Sequence, residues 1–206
     1  MQYFRVFAVV VLVLALTTPA GAQAPAPVPA NNNNQTVAKL QNMGSMVAFL
    51  NLASGAVRLV VIADPLSEGS DAAMKAVQSV LEANPSKRLR VFVVWSATTP
   101  EATEIRALQR CSVHDRRLVY FYDAEGFVPN AFRNVVGSGQ EPATDVLLLY
   151  DTDAHLAPDP PAPSMWMSAN KDIKGTALDA KQLSTHANEM VKRVEEKVND
   201  GATQKQ

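Results

Sequence analysis

Two hydroxyls three residues apart, Ser67 and Ser70, stand where an apolar run gives way to an amphipathic one, in the segment Ser67-Glu68-Gly69-Ser70. Such a pair has two chemical uses. A serine nucleophile needs an adjacent base and an oxyanion hole, and the elbow pattern G-x-S-x-G is missing here. A capping serine needs only the free N–H groups of a helix start, and Asp71 would sit favourably in that first turn. Capping is the reading the pattern favours. The single thiol, Cys111, lies near the expected end of a helix, where the dipole opposes a thiolate. Arg110, Arg116 and Arg117 would offset that, so Cys111 is a weak catalytic candidate beside a structural or dimer-linking role. Cys111-Ser112-Val113-His114 has ligand-like spacing, but no second Cys/His pair accompanies it, and His155 and His186 are distant in sequence. No metal is expected. Asp123, Asp145, Asp151 and Asp153 fall near expected strand ends, where carboxylates bind cations or, more often, make turns. Trp95, Phe127, Phe132 and the Met165-Trp166-Met167 run would form a binding surface if exposed, and core if not.

The elements that must position these groups follow from periodicity. Thr36 to Leu52 places Leu40, Met43, Val47 and Leu50 at helical spacing, with Thr36 as a candidate cap. Val57 to Ala63 is an apolar run broken only by Arg58, the pattern of a buried parallel strand. A helix is expected over Asp71–Ala83, ended by Asn84-Pro85. Strands are expected at Arg88–Trp95, Arg117–Tyr122 and Asp145–Tyr150. A helix opened by Thr99-Pro100-Glu101 should reach about Cys111. Asp123 to Gly126 reads as a turn and Val128 to Val136 as a short helix. The prolines 158, 160, 161 and 163 make a stiff segment before a short edge strand at Ser164–Ser168. A last helix is expected over Thr176–Val198, and a polar tail after it. Strands alternating with helices predict an α/β fold with a mostly parallel central sheet and helices on both faces.

Residues 1–22 read as a secretory signal: Arg5, the apolar run Phe7–Leu16, then Ala20-Gly21-Ala22. The apolar run is too short to span a membrane comfortably, and no later segment qualifies. Residues 23–35, QAPAPVPANNNNQ, read as a flexible tether, and residues 36–199 as one domain. Formal net charge is −1, with no basic stripe interleaved with aromatics, so nucleic acid is not an expected partner. One cysteine gives no internal disulfide, so the hydrophobic core must hold the fold. G-x-G-x-x-G and the P-loop pattern are both missing, and no cofactor is expected.

Four pieces, in order, resemble the extracytoplasmic thioredoxin-like proteins, a group of thiol-disulfide reductases and peroxiredoxins. They are VVIA leading through Asp64-Pro65 into a helix; the segment Arg116–Gly137 with its Asp-x-x-Gly turn; Pro142-Ala143-Thr144 opening DVLLLYD; and the terminal helix. The resemblance implies a thioredoxin-like sheet. It also implies that the family's Cys-x-x-Cys pair falls on Ser67 and Ser70, and that Pro142 stands where the family has a cis-proline. A serine hydroxyl is far less acidic than a thiol and forms no disulfide, so dithiol exchange cannot run through this loop. The expectation is a secreted or periplasmic, non-catalytic module. It would bind a protein or extended peptide at Ser67, Glu68, Gly69, Ser70, Glu141 and Pro142. A single-cysteine redox enzyme using Cys111, or a structural subunit of an envelope complex, are the alternatives.

Overall fold

The computed structural model describes residues 37–203. The expected signal and the whole of the expected tether lie outside the described residues. Val57–Ala63, here β2, is buried at all seven positions, which is what a strand covered on both faces requires. It lies inside a six-stranded sheet. The other strands are β1 (Val37–Lys39), β3 (Leu89–Ser96), β4 (Leu118–Asp123), β5 (Val146–Tyr150) and β6 (Met165–Ser168). The spatial order is β1-β4-β3-β2-β5-β6. β1, β4, β3 and β2 pair in parallel; β5 runs antiparallel to β2, and β6 antiparallel to β5. The expected α/β architecture, a mostly parallel central sheet with helices on both faces, is the one observed.

Alternation along the strands divides the core in two. Val57, Leu59, Val61, Val91, Val93, Trp95, Leu147 and Leu149 face one side, covered by α2 (Glu68–Ala83), α3 (Glu104–Arg110) and α5 (Ala180–Thr203). Val60, Ile62, Phe92, Val94, Phe121, Leu148 and Tyr150 face the other, covered by α1 (Met43–Leu52) and α4 (Phe127–Val136). Arg58, the one break in the apolar run of β2, is fully buried on the α1 side. Its guanidinium donates to the carbonyls of Leu50, at 3.3 Å, Asp151, at 2.5 Å, and Ala154, at 2.7 Å. It thereby joins the carboxyl end of α1 to the loop between β5 and β6, a favourable place for a cation.

Several boundaries differ from expectation for local reasons. Residues 37–39 are a strand, not the start of a helix, because β4 offers a free edge: Val37 sits opposite Tyr120 and Lys39 opposite Tyr122. α1 starts only after Asn42, whose side chain accepts the Ser45 N–H; Thr36 lies outside the described residues. α2 starts at Glu68, three residues before Asp71. Thr99-Pro100 forms a turn, closed by Ala102 N–H to Thr99 C=O, and Thr103 caps α3 instead. Thr176 and Leu178 are held against β6 through Ser168, which delays α5 to Ala180. α5 then runs on to Thr203, past the expected tail boundary. Among the described residues no helix is long and apolar enough to cross a membrane.

Candidate functional site

The parallel strands β2, β3 and β4 end on the same edge of the sheet on which β5 begins, so four loops meet there. Ligands of open α/β sheets bind at such an edge, where the chain leaves the strands in different directions. The loop after β2 carries Asp64, Pro65, Leu66 and Ser67. Ser67 is the N-cap of α2: its Oγ accepts the Ser70 N–H at 3.0 Å. The same hydroxyl donates to Asp145 Oδ1 at 2.8 Å, with Asp64 C=O at 3.1 Å. The capping reading of this serine is the one observed, and its proton is already committed to Asp145.

Ser70 is fully buried and its hydroxyl donates to the Ser67 carbonyl at 2.8 Å. It points into the fold rather than toward a ligand. Glu68 is exposed. Gly69 has a distinct job: a Cβ built there would lie 2.7 Å from Asp145 Oδ2 and 2.9 Å from Asp145 Cγ. Only a residue without a side chain lets Asp145 approach the first turn of α2 so closely. Glu141 and Pro142 lie on the loop that leads to Asp145, and that loop is fastened to α4 by Ala143 N–H to Pro129 C=O. Among the described residues, no hydrogen bond joins Glu141 or Pro142 to residues 67–70, and no peptide bond is cis, Pro142 included. The edge therefore gathers Ser67 and Gly69 around Asp145, while Glu141 and Pro142 stand beside them on a separate loop.

Asp145 is the residue that sequence reasoning passed over, as one of four strand-end aspartates. It is buried, at 3% exposure, and is the one non-glycine residue with positive φ (56°) among the described residues. Aspartate tolerates that region better than most side chains, at a cost of about 1–2 kcal/mol. Its Oδ1 also accepts the Asp64 N–H at 3.3 Å. Burial pushes the Asp145 carboxyl up from its ordinary value; the hydrogen bonds from Ser67 and Asp64 oppose this, and the Asp64 charge adds to it. Asp64, 8% exposed, accepts the Leu66 N–H at 2.7 Å and the Thr98 hydroxyl. The signal in sequence was slight: an aspartate opening a fully apolar strand, facing Asp64 across the fold.

The other strand-end aspartates do make turns. Asp123 accepts the N–H groups of Phe127, at 3.1 Å, and Val128, at 2.8 Å, at the start of α4. Asp151 accepts the Thr152 N–H at 2.7 Å, at the opposite edge of the sheet. Cys111 is the C-cap of α3, with its Sγ 3.3 Å from the Ala107 carbonyl. Burial pushes its thiol up to about 11, and the Trp95 indole beside it offsets this only in part. At neutral pH it is a thiol, not a thiolate. Its neighbour Arg110 reaches the β2–α2 loop, donating from Nε to Pro65 C=O at 2.8 Å and pairing with Asp71 at 2.5 Å.

Trp95 and Phe132 are wholly buried, so they belong to the core. Trp166 is half-buried with its ring against Gly175, where a Cβ would fall 2.0 Å from the ring. Exposed large apolar side chains include Leu66 on the loop after β2, Phe127 at the start of α4, and Ile105 and Leu108 on α3.

No family model matches the chain, and no curated protein does. Among solved structures it is similar to a secreted Mycobacterium tuberculosis disulfide oxidoreductase homologous to E. coli DsbE. The identity is 14% and the TM-score 0.40, over 66% of this chain and 84% of that one.

Proposed function

We propose that this chain is a secreted or periplasmic thioredoxin-like domain that binds a protein or an extended peptide without performing thiol chemistry. The observation that carries the proposal is that each candidate nucleophile at the site edge is already spent. Ser67 caps α2 and donates to Asp145, Ser70 is buried on a backbone carbonyl, and Cys111 is held as a thiol by burial. What the edge leaves free is recognition chemistry: Leu66, on the loop after β2, is 43% exposed, and Phe127, at the start of α4 after β4, is 37% exposed. Apolar side chains held on a fastened loop and a helix start cost little entropy to bind. Glu68 and Glu141, both exposed, add charge to the same rim. Export is supported by Arg5, the apolar run after it and Ala20-Gly21-Ala22.

The test is disulfide reduction and peroxide turnover by the chain from Gln23 onward, beside Cys111→Ala. Both proteins should be inactive. Multiple turnover by the native chain, lost in Cys111→Ala, would sink the proposal and make Cys111 a redox nucleophile. With both inactive, immobilised chain should retain a partner that Leu66→Asp and Phe127→Asp variants fail to retain. Equal retention by these variants would count against the rim as the binding surface.

A further inference from the structure

Asp145 sits where three separate connections meet, and it holds them by one side chain and one carbonyl. Its carboxylate takes the Asp64 N–H and the Ser67 hydroxyl of the β2–α2 loop. Its own carbonyl takes the Ala169 N–H, just beyond β6, at 2.8 Å. Asp64 carries the connection onward, through Thr98, to the loop after β3. Gly69 lets the carboxylate lie against the first turn of α2. The backbone at φ 56° is strained, so the arrangement persists only because these contacts over-determine it.

We propose that Asp145 is a pH-sensitive strap, whose protonation tightens the β2–α2 loop and the post-β6 loop against the start of β5. The groups facing it are few. The β2–α2 loop presents Asp64, the one charged side chain acting on it among the described residues, and Ser67; the first turn of α2 presents Gly69; the segment after β6 presents the Ala169 N–H. Ionised, the carboxylate is buried next to a second acid with no cation against it. Protonated, it sheds that charge and still accepts the Asp64 N–H and the Ser67 hydroxyl through its carbonyl oxygen.

The sign follows from linkage. Burial raises this carboxyl from its ordinary value, and an opened, hydrated loop would return it toward that value. Closure is therefore strongest below the opened-state value and weakens as pH rises through the closed-state value. The strap does not depend on what the rim binds, so the partner-capture result leaves it untouched.

The experiment is amide hydrogen exchange at Leu66 and Ala169 in the full chain, corrected for the intrinsic pH dependence of exchange. Protection should rise as pH falls from about 7 to about 4. The total gain should be about tenfold for each unit by which the closed carboxyl exceeds the opened one. Asp145→Asn, which keeps the acceptor and tolerates positive φ, should give flat protection over the same range. Ser67→Ala, which removes a donor to the charged form, should move the rise to higher pH and serves if the asparagine variant does not fold. A flat wild-type profile, an Asp145→Asn profile that titrates like wild type, or an unmoved midpoint in Ser67→Ala would overturn the strap.

Discussion

Gly69→Ala tests the central contact of the site with a single methyl group. The added carbon would lie 2.7 Å from Asp145 Oδ2 and 2.9 Å from both Cβ and Cγ, distances real Cβ atoms do not tolerate. Asp145 cannot swing away freely, since it is buried and held by Ser67, Asp64 and Ala169. Alanine in a helix gains up to about 1 kcal/mol over glycine. Against that stand about 1–3 kcal/mol for overpacking and about 1.5–3 kcal/mol if the charged hydrogen bond from Ser67 is broken. The net expectation is a loss of about 2 kcal/mol, or about 4–8 °C in Tm for a domain of this size. Asp145→Gly removes all three obstructing atoms and accepts the positive φ. In that background Gly69→Ala should be neutral or stabilising by up to about 1 kcal/mol, giving a coupling of about 2–3 kcal/mol. Urea unfolding followed by circular dichroism on the four proteins measures it. If Gly69→Ala costs the same in both backgrounds, Asp145 does not lie against α2.

With its thiol near 11, Cys111 should react with iodoacetamide at pH 7 about a hundredfold more slowly than an exposed cysteine of ordinary pKa, and speed up on unfolding; an equal rate in the folded protein would refute its burial. Arg58→Met should cost about 3–5 kcal/mol, because three carbonyls lose a charged donor, and thermal unfolding should show it; a neutral result would mean water serves those carbonyls equally well. Asp115 is held below its ordinary value, first by its hydrogen bond from Arg117, so its contribution is present above the unfolded value and fades as pH falls through the folded one. Asp115→Asn should accordingly lower stability at pH 7, by an amount that shrinks as pH falls through the folded value, a comparison that pH-dependent urea unfolding makes directly.

Strands and helices that bury a continuous stripe were legible from residue pattern alone. β2, β3 and β4, and the body of α2 and α4, lie where apolar spacing puts them, because burial of those side chains favours only one periodicity. Elements chosen by a distant partner were not. Val37–Lys39 carries too few residues to declare itself, and becomes a strand because β4 presents an unpaired edge. Helix starts moved for the same kind of reason: Thr103 rather than Thr99 caps α3, and Ser168 holds back Thr176 to Leu178 from α5.

The same division runs through the site. The order of residues determined that no cysteine pair stands at the head of α2, that one thiol is available in all, and that Ser67 is suited to cap a helix. These are matters of residue type, and no folding can alter them. Only the tertiary structure decided that Asp145, 78 residues from Ser67, receives its hydroxyl, that Ser70 turns inward, and that Glu141 and Pro142 belong to a loop fastened elsewhere. It also decided the state of Cys111, since desolvation depends on what packs around a sulfur rather than on its neighbours in sequence. Hydrogen bonds and burial between remote segments arise only when the sheet brings four loops to one edge, and that is where the identity of the central residue of this site was settled.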